Sequence, residues 1–501
     1  YGYRVLGPYG TGGLEDILAG IEKAVSDGMD VINLSLGINI NDPQYPTSTA
    51  INYAVLNGVT AVVSAGNSGP YSYTLGSPGA AALALTVGAS SAPIPVAQYT
   101  GVVSGSTTEF LLSNLYSDLV TDLSVFNNHQ YEVIDLGVGL ESDYVGKDVA
   151  GKIVFVSTGV IGTQTKTVYA KNHGAAAIIA YHNIPNSGPN PFVREDQNFI
   201  PAFSISYEQG LELKAQLATG NTKLTFKNFK EEYTEGDKLA WFSSRGPSRK
   251  NYDMKPEITA PGVNVLSSVP AYSVYQNDPS NYQYAYNRMS GTSMAAPHVT
   301  GISALLLQAN PDLEPSDIKT ILMNTAKPLA DKYSVFDVGA GRVDPYRAVH
   351  TGMELRVQDE TPMRFNEENI AIKDETGGLS FGNHYANEET FIKKTVNITN
   401  FEKNTKKFDV NVQFQTDVNG SLDASSNKVI LDIPKVIPVQ SFKTKKVPVT
   451  ITVPATAKAG IYEGYLIISN QDDKNEQYRI PFSIRTTEEG IESTGISDSR
   501  Y

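Results

Sequence analysis

The chain has 501 residues, a length that predicts about two to four domains, each large enough for its own hydrophobic core. Its formal net charge of −13 argues against nucleic acid and against an anionic membrane surface as partners. It contains no cysteine, which excludes disulfides, thiolate metal sites and cysteine nucleophiles, and no apolar run approaches the ~18 residues that a transmembrane helix needs.

Residues 1–91 alternate between helix and strand patterns. Apolar residues at helical spacing and short apolar runs predict, in chain order, a helix over 14–25, a strand over 31–36, a helix over 47–57 and a strand over 59–65. Gly28 and Gly58 follow the two helices, as C-cap glycines do. Strands that alternate with helices are joined by right-handed crossovers, so we expect an α/β fold whose parallel sheet is covered on both faces. Functional residues then belong at the carboxyl ends of the strands, where Asn67 falls.

Residues 92–238 follow a different pattern. Loops rich in Pro, Asn and Gly separate predicted strands at 151–156, 175–181 and 200–205, with predicted helices near 168–173 and 208–217. We therefore expect this segment to form a separate domain that is inserted into the α/β fold.

The helix-and-strand pattern resumes over residues 239–353. An apolar run that includes Val299, Ile302 and Leu306 predicts a buried helix, and a further helix is expected from Pro315 onward with Ser316 as its cap. From 354 to 485 apolar and polar residues alternate in segments such as 394–400, 447–453 and 464–469, as in a small β-sandwich. The charged segment 486–501 is predicted to be disordered.

The segment from Gly291 to Gly301 places Ser293 between a turn of small residues and the predicted buried helix. A serine at a helix start has its hydroxyl near the positive end of the helix dipole, beside N–H groups that have no intrahelical partner. That environment stabilises the negative charge of an attacking alkoxide and of a tetrahedral oxyanion. A lone Gly-Thr-Ser would more often be a simple helix cap, but the length of this motif favours a nucleophile.

This motif closely resembles the nucleophile motif of the subtilisin-like serine proteases. Residues 29–37, MDVINLSLG, resemble the family strand that pairs with substrate, and residues 59–69, VTAVVSAGNSG, resemble the strand that leads to the oxyanion-hole asparagine. The loops at 242–247 and 255–262 also match the family, in the family's order. The resemblance implies a subtilisin-like parallel sheet flanked by helices over 1–91 and 239–353, a protease-associated domain over 92–238, and a fibronectin-III-like β-sandwich over 354–485. For 92–238, a packing insert without a binding role is the alternative.

The resemblance also implies roles for individual residues. Ser293 would attack the scissile carbonyl, and the side-chain amide of Asn67 together with the N–H of Ser293 would bind the oxyanion. Five further residues would bind substrate, and these are Ser35, Leu36, Gly37, Ala65 and Gly66. The first three would pair with the substrate backbone as an added strand, and the last two would wall an open pocket that tolerates large apolar side chains.

The chain departs from the family in the other two members of the catalytic triad. The family carries an aspartate in an Asp-Ser/Thr-Gly turn and a histidine in a His-Gly-Thr-His helix start, upstream of these motifs, and neither pattern occurs here. None of the six histidines has that context, and His298 lies five positions after Ser293, about 140° around a helix axis. A lysine could in principle replace the histidine as the base, but nothing in the sequence marks any lysine for that role. Because residues 1–7 resemble the strand after the histidine helix, we expect the chain to begin partway through a catalytic domain and to be inactive alone.

The resemblance implies protein or peptide substrates and no required cofactor, with a structural calcium ion in loops as an option for which no ligands can be named. It implies a secreted bacterial protein, with attachment to the cell wall as an option. The lack of cysteine agrees with that origin, because eukaryotic secreted proteins usually carry disulfides. The chain's own missing N-terminal segment would be a further partner. A non-catalytic pseudoprotease or binding protein is the alternative function.

Overall fold

The computed structural model describes residues 1–7, 10–117, 121–185, 194–195, 199–220, 222–250, 252–273, 280–282, 285–365 and 368–488. They form two compact units. The first comprises Tyr1–Ser91, Asp237–Val263 and Ser290–Tyr501, and the second comprises Ala92–Gly236 and Asn264–Met289.

The helices are α1 (Leu14–Ser26), α2 (Pro46–Leu56), α3 (Thr163–Asn172), α4 (Tyr207–Ala218), α5 (Thr292–Ala309), α6 (Pro315–Asn324), α7 (Val335–Val338) and α8 (Pro345–Val349), and short 3₁₀ helices cover Leu123–Phe126, Glu141–Tyr144 and Ala271–Ser273. The strands up to the last helix are β1 (Val31–Leu34), β2 (Thr60–Ser64), β3 (Leu85–Ser90), β4 (Pro95–Val103), β5 (Glu109–Ser117), β6 (Gln130–Asp135), β7 (Ile153–Ser157), β8 (Ala177–Tyr181), β9 (Arg194–Glu195), β10 (Ala202–Ile205), β11 (Lys223–Tyr233), β12 (Ile258–Pro261), β13 (Val265–Ser268) and β14 (Tyr286–Met289). The remaining strands are β15 (Met353–Phe365), β16 (Glu368–Thr376), β17 (Leu379–Tyr385), β18 (Thr390–Asn400), β19 (Lys406–Gln415), β20 (Ile430–Asp432), β21 (Val436–Val439), β22 (Thr444–Val453), β23 (Gly460–Asn470) and β24 (Gln477–Thr487).

The first unit is built on a parallel sheet with the strand order β1-β2-β3-β12. Strand β2 is buried on both faces, which is why its sequence is a continuous apolar run. Ala61 and Val63 pack in a cluster with Ile51 of α2, whereas Val62 packs in a cluster with Val299 of α5. The predicted α/β arrangement, a parallel sheet covered by helices on both faces, is confirmed.

Two local predictions about the helices of this unit were wrong. The cap of α6 is not Ser316, because Pro315 takes the first helical position and Glu314 precedes it as the N-cap. The side chain of Asp317 accepts a hydrogen bond from the Glu314 N–H at 2.6 Å. Helix α5 is buried along one side only, since the Leu305 side chain is 49% exposed.

Three titratable side chains are buried together at the amino ends of β3 and β12. Lys255, Glu257 and Lys319 are at most 4% exposed. The Lys255 ammonium group pairs with Glu257 and donates to the carbonyl oxygens of Ala82 at 3.3 Å and Ala84 at 3.0 Å. Lys319 Nζ lies 3.3 Å from a carboxylate oxygen of Glu257. These opposite charges and carbonyl oxygens are what allow ionisable groups to lie in the interior.

The second unit contains an eight-stranded sheet with the order β10-β8-β7-β6-β11-β4-β5-β9, and β10 also pairs with β5. From the sequence, residues 264–289 were expected to belong to the α/β fold that resumes at residue 239. In the structure they belong to the second unit. Strands β13 and β14 pair with each other and do not join the parallel sheet.

The first unit holds together the two points between which residues 92–236 are inserted. The N–H of Ser91 donates to the carbonyl oxygen of Lys238 at 2.8 Å, and the N–H of Asp237 donates to the carbonyl oxygen of Ser91 at 2.9 Å. The chain therefore leaves and re-enters the first unit at neighbouring residues, which two backbone hydrogen bonds hold together.

The C-terminal part of the first unit consists of two five-stranded sheets, β16-β15-β18-β22-β20 and β17-β24-β23-β19-β21. Side chains from both sheets, including Leu355 and Leu466, share one buried cluster. The predicted disordered segment begins at residue 486, but strand β24 continues to Thr487. The prediction is therefore wrong for residues 486 and 487. Thr486 is 3% exposed and pairs with Gly460 in β23, which gives this threonine a buried place in the sheet. The rest of the predicted tail, from residue 489, lies outside the described residues.

A buried carboxylic acid ties the C-terminal sheets to the short helix α7. One oxygen of Glu463 accepts hydrogen bonds from Ser334 Oγ at 2.7 Å and from the Val335 N–H at 2.8 Å. Burial raises the pKa of Glu463 to about 7, and the neighbouring Asp337 carboxylate acts in the same direction.

Candidate active site

The residues predicted to act together lie at one edge of the parallel sheet. Strand β1 ends at Leu34 and strand β2 ends at Ser64, so Ser35 and Asn67 follow the carboxyl ends of neighbouring parallel strands. Helix α5 packs on all four strands of this sheet and begins at Thr292. Strand ends and the helix start therefore meet at the edge where ligands of open α/β sheets bind.

A cleft of about 220 Å³ lies at this edge. Its walls include five of the seven residues predicted for the site, which are Leu36, Gly37, Gly66, Asn67 and Ser293. The side chain of Ser35 lies behind the cleft, bonded to the Ser293 backbone. Ala65 is fully buried and does not line the cleft, while its carbonyl oxygen accepts the N–H of Gly76 at 3.0 Å. Among the described residues, no charged side chain lines this cleft.

Ser293 occupies the second position of the 18-residue helix α5 and is half-buried. Its hydroxyl makes a long hydrogen bond of 3.4 Å to the carbonyl oxygen of Ser35. The N–H groups of the first helical turn have no intrahelical acceptor, and the helix dipole adds positive potential there. The hydroxyl oxygen of Ser293 therefore lies where negative charge on it, or on a group attacked by it, is stabilised.

A proline inside α5 explains how the backbone at Ser293 is held. Pro297 has no N–H to donate to the carbonyl oxygen of Ser293, four residues earlier. Ser35 Oγ donates to that oxygen at 2.8 Å instead. Asn33 donates from Nδ2 to Ser35 Oγ at 3.0 Å, and Thr300 Oγ1 donates to Asn33 Oδ1 at 3.2 Å. This chain of hydrogen bonds fixes the first turn of α5 against the end of β1.

Asn67 is fixed by the residue that precedes Ser293. Its Oδ1 accepts hydrogen bonds from the N–H of Thr292 at 2.9 Å and from Thr292 Oγ1 at 3.0 Å. Two donors on one atom identify it as the amide oxygen, which leaves Nδ2 as the donor. Nδ2 lies 3.5 Å from the position that a Cβ atom on Gly291 would take. The NH₂ group is thus presented at the start of helix α5.

Gly66 adopts a backbone conformation that favours glycine, with φ of +108°. A Cβ atom at this position would lie 2.8 Å from Ser244 Oγ. Ser244 Oγ also accepts the N–H of Ser68 at 3.0 Å, so it is not free to move aside. The glycine lets the loop after β2 turn closely enough to bring Asn67 to Thr292.

No histidine hydrogen-bonds to Ser293 in the part of the chain that the structure describes. The Nδ1 atom of His298 lies 2.8 Å from the carbonyl oxygen of Met294, on its own helix, and the side chain is exposed. His350 and His384 likewise make hydrogen bonds to nearby backbone carbonyl oxygens, of Tyr346 and Phe381. These bonds agree with the expectation that His298 does not act as the base for Ser293.

Three parts of this site were not identified from the sequence. Thr292 anchors Asn67, Asn33 orients Ser35, and the Gly76–Ser77 segment forms a wall of the cleft. Thr292 and Asn33 both lie inside motifs that carry the resemblance, so their position beside Ser293 and Ser35 was the available signal. Nothing in the sequence marked Gly76 or Ser77.

The described residues contain no group of three or more His, Asp or Glu side chains placed to hold a metal ion. None of the helices among them is both long enough and apolar enough to cross a membrane.

Comparison with known proteins matches this chain to one family. The model of the subtilase family matches residues 1–341. The minor extracellular protease Vpr of Bacillus subtilis (strain 168) is 35% identical over 470 residues, which are 93% of this chain and 53% of that protein. Subtilisin-like protease SBT5.4 of Arabidopsis thaliana is 32% identical in an alignment 375 residues long, which covers 68% of this chain and 46% of that protein. The C5a peptidase of Streptococcus pyogenes serotype M1 is 29% identical in an alignment 518 residues long, gaps included, which covers 94% of this chain and 40% of that protein. The chain thus spans about half the length of the relatives that it matches.

Proposed function

The chain belongs to the subtilase family, and on that premise we propose that it carries the nucleophile and the oxyanion-binding groups of a serine endopeptidase. Ser293 attacks the carbonyl carbon of a peptide bond, the C–N bond breaks, and the amine leaves with a proton returned by the general base, which gives an acyl-enzyme. Water then hydrolyses the ester, releasing the acid and restoring the hydroxyl of Ser293. The observation that carries the proposal is the placement of Ser293 Oγ at the start of α5, beside the amide of Asn67.

In this proposal, the tetrahedral oxyanion is bound by the Nδ2 of Asn67 and the N–H of Ser293. The two hydrogen bonds from Thr292 hold the Asn67 amide in place before substrate arrives. The amide dipole therefore needs no reorientation when charge develops on the substrate. Preorganised donors of this kind stabilise the transition state more than the bound substrate.

The substrate lies in an extended conformation beside the end of β1. Leu36 and Gly37 line the cleft and directly follow an edge strand of the described sheet, so their backbone groups are placed to pair with a peptide. Gly66 supplies a wall without a side chain, which leaves room for a large apolar side chain of the substrate.

The proton of Ser293 is taken by a histidine, oriented by an aspartate, from polypeptide outside these 501 residues. Support comes from the hydroxyl of Ser293, which bonds only a carbonyl oxygen among the described residues, and from the greater length of the relatives. A serine without a base is a poor nucleophile, so these 501 residues alone hydrolyse peptides at a trace rate. The partner is a segment of the same protein that docks beside β1.

The chemistry needs no cofactor, and a structural calcium ion stays an option that a chelator titration of the melting temperature tests. We place the protein outside the cell, because Vpr is named as an extracellular protease. Attachment to the cell wall is a further option, which fractionation of a producing bacterium tests.

The test uses a form of the protein extended at its N-terminus, side by side with the 501-residue chain. We expect the extended form to cleave a peptide anilide and to be labelled by a fluorophosphonate, and we expect Ser293→Ala to abolish both. Thr300→Ser, which keeps the hydroxyl on the same helix, serves as the control. An extended form whose turnover survives Ser293→Ala would refute the assignment, and one that binds peptide without turnover would favour a non-catalytic binding protein.

A further inference from the structure

A second cavity, of about 460 Å³, lies within the first unit, away from the cleft at Ser293. One wall is the segment 328–333, and the other is formed by strands β19, β23 and β24 of the C-terminal sheets. Leu329, Phe414 and Tyr465 give it apolar surface, and Arg479 lies among them.

Arg479 has no carboxylate within ion-pair distance among the residues that the structure describes. Its guanidinium carbon lies 4.0 Å from the centre of the Tyr465 ring, and its Nε is buried with no hydrogen-bond partner in the described part of the molecule. Three other partly buried arginines of the same unit do lie beside carboxylates, and these pairs are Arg245–Asp337 at 3.5 Å, Arg342–Asp237 at 2.6 Å and Arg356–Glu375 at 2.7 Å. Burial lowers the pKa of Arg479, while a hydrogen bond between its side chain and that of Tyr465 acts in the opposite direction.

The other polar groups of the cavity leave this charge uncompensated. Lys332 lines the cavity, is exposed, and forms no ion pair among the described residues. The single carboxylate, on Asp331, accepts a hydrogen bond from the hydroxyl of Tyr333 at 3.3 Å. Gln415 has a buried amide oxygen without a partner, and rotation of its amide would present NH₂ in its place.

A partly buried cation that lacks a carboxylate partner among the described residues favours an anion that can reach it, so the cavity is suited to an anion beside Arg479. The guanidinium fork matches the two oxygens of a carboxylate. The apolar walls and a volume far above the ~30 Å³ of one water favour an anion carried on an apolar body over a small hydrated ion.

We propose that this cavity binds a carboxylate borne on an apolar body, supplied by a polypeptide as its C-terminal carboxylate or as an acidic side chain. The carboxylate accepts hydrogen bonds from Arg479, Lys332 lies at the rim, and Leu329 with Phe414 covers the apolar part. This binding site is independent of the role given to Ser293.

Three small probes separate the sources of the carboxylate. N-acetyl-leucine carries a C-terminal carboxylate, N-acetyl-glutamate amide carries a side-chain carboxylate, and N-acetyl-leucinamide carries none. Ligand-detected NMR at low ionic strength measures weak binding of each to the 501-residue chain, because salt would screen the attraction. We expect one or both acids to bind saturably and the neutral amide not to bind. Whichever acid binds more tightly identifies the source.

Variants show whether the binding occurs at this cavity. We expect Arg479→Gln to weaken acid binding by about ten-fold or more, since a hydrogen bond to a charged group is lost. Arg479→Lys keeps a charge and should retain part of the binding, which covers the case in which Arg479→Gln does not fold. Lys445→Gln, which removes an exposed cation elsewhere on the same sheets, should change nothing. Equal binding by the parent chain and a folded Arg479→Gln variant, equal binding of acid and neutral amide, or no saturable binding of either acid would overturn the proposal.

Discussion

The hydroxyl of Ser35 donates a 2.8 Å hydrogen bond to the carbonyl oxygen of Ser293, the oxygen that Pro297 leaves without its helical donor. The two serines are 258 residues apart in sequence. The nucleophile candidate is therefore positioned through its backbone by the end of β1, and its own hydroxyl is left free of any strong bond. This relationship gives the side chain of Ser35 a structural role that is separate from the substrate pairing expected of its backbone.

Replacing Ser35 tests that role. Ser35→Ala should lower the free energy of unfolding by about 1 kcal/mol, because the Ser293 carbonyl loses its donor. It should also reduce kcat of a hydrolytically competent form more than it raises KM, since the defect is in the position of Ser293. Ser35→Thr keeps a hydroxyl and is the matched control. Equal kcat for the alanine variant and the parent would show that this bond does not position the nucleophile.

Asn67 is expected to act on the transition state and not on substrate binding. Asn67→Ala should lower kcat by about 10²–10³-fold with little change in KM, the range found when one such donor is removed from a subtilisin. Thr292→Val removes one of the two bonds that hold the amide but leaves the amide itself, so its loss should stay within about ten-fold. Steady-state kinetics on one peptide anilide measures both. A larger loss for Thr292→Val than for Asn67→Ala would contradict this division of roles.

His298 should be dispensable for catalysis, although it is the histidine nearest to Ser293 in sequence. Its Nδ1 is bonded to the Met294 carbonyl oxygen on its own helix, and the side chain faces solvent. In a competent form of the protein, His298→Ala should leave kcat/KM and its pH profile within about two-fold of the parent, because a solvent-facing group does not touch the reacting atoms. If kcat/KM of this variant no longer changed with pH near neutrality, while that of the parent did, His298 would be identified as the base.

The buried Lys255 should matter far more to stability than an exposed lysine in a similar ion pair. Lys255→Met leaves Glu257 in the interior with fewer partners and should cost about 3–5 kcal/mol. Lys250→Met breaks the exposed pair with Asp42 and should cost about 0–1 kcal/mol. Urea unfolding of both variants measures the two losses. Similar losses would mean that the cluster at the amino ends of β3 and β12 is not tightly packed.

Glu463 should make the fold less stable as the pH rises. Its pKa is raised from 4.5 to about 7 in the folded state, mainly by burial, so the folded state holds the proton over a pH range in which the unfolded state has released it. Its contribution to stability therefore falls as pH rises from 4.5 to about 7 and stays low above that range. Burial also raises the pKa of the neighbouring Asp337, and the charge of Arg245 opposes that shift.

Glu463→Gln keeps an acceptor for Ser334 and Val335 but cannot ionise. The melting temperature of this variant, relative to the parent, should be higher at pH 8 than at pH 5, because only the parent ionises between them. Glu389→Gln, an exposed acid on the same sheets, should show no such change in the difference. A difference for Glu463→Gln that is constant with pH would place the titration elsewhere.

The strands and helices around the site could be predicted because each has a local signature. The run of residues in β2 is apolar because the sheet is covered on both sides, and the glycines after α1 and α2 end those helices. The closeness of Ser293 and Asn67 was implied by the family resemblance, and the position of Asn67 at the carboxyl end of a parallel strand agreed with it.

What could not be predicted depends on contacts between distant residues. Thr292 meets Asn67 across 225 residues and Thr300 meets Asn33 across 267, and no local pattern encodes such pairs. The hairpin β13–β14 was not predicted, and its segment was assigned to the α/β fold because the sequence marks no boundary on either side of residues 264–289. The cap of α6 was misread because Ser316 is a good cap residue by type, whereas Pro315 had already set the helix start.

The hydrogen-bonded pair of Ser91 and Lys238 has a consequence for how such proteins change over evolutionary time. A large segment enters and leaves the α/β fold through two adjacent points, while Val87 still lies opposite Ile258 in neighbouring strands. Any polypeptide whose own ends lie close together can be accommodated there without shifting that strand register. An inserted domain could therefore be gained, exchanged or lost at this position without a change in the parallel sheet of the first unit.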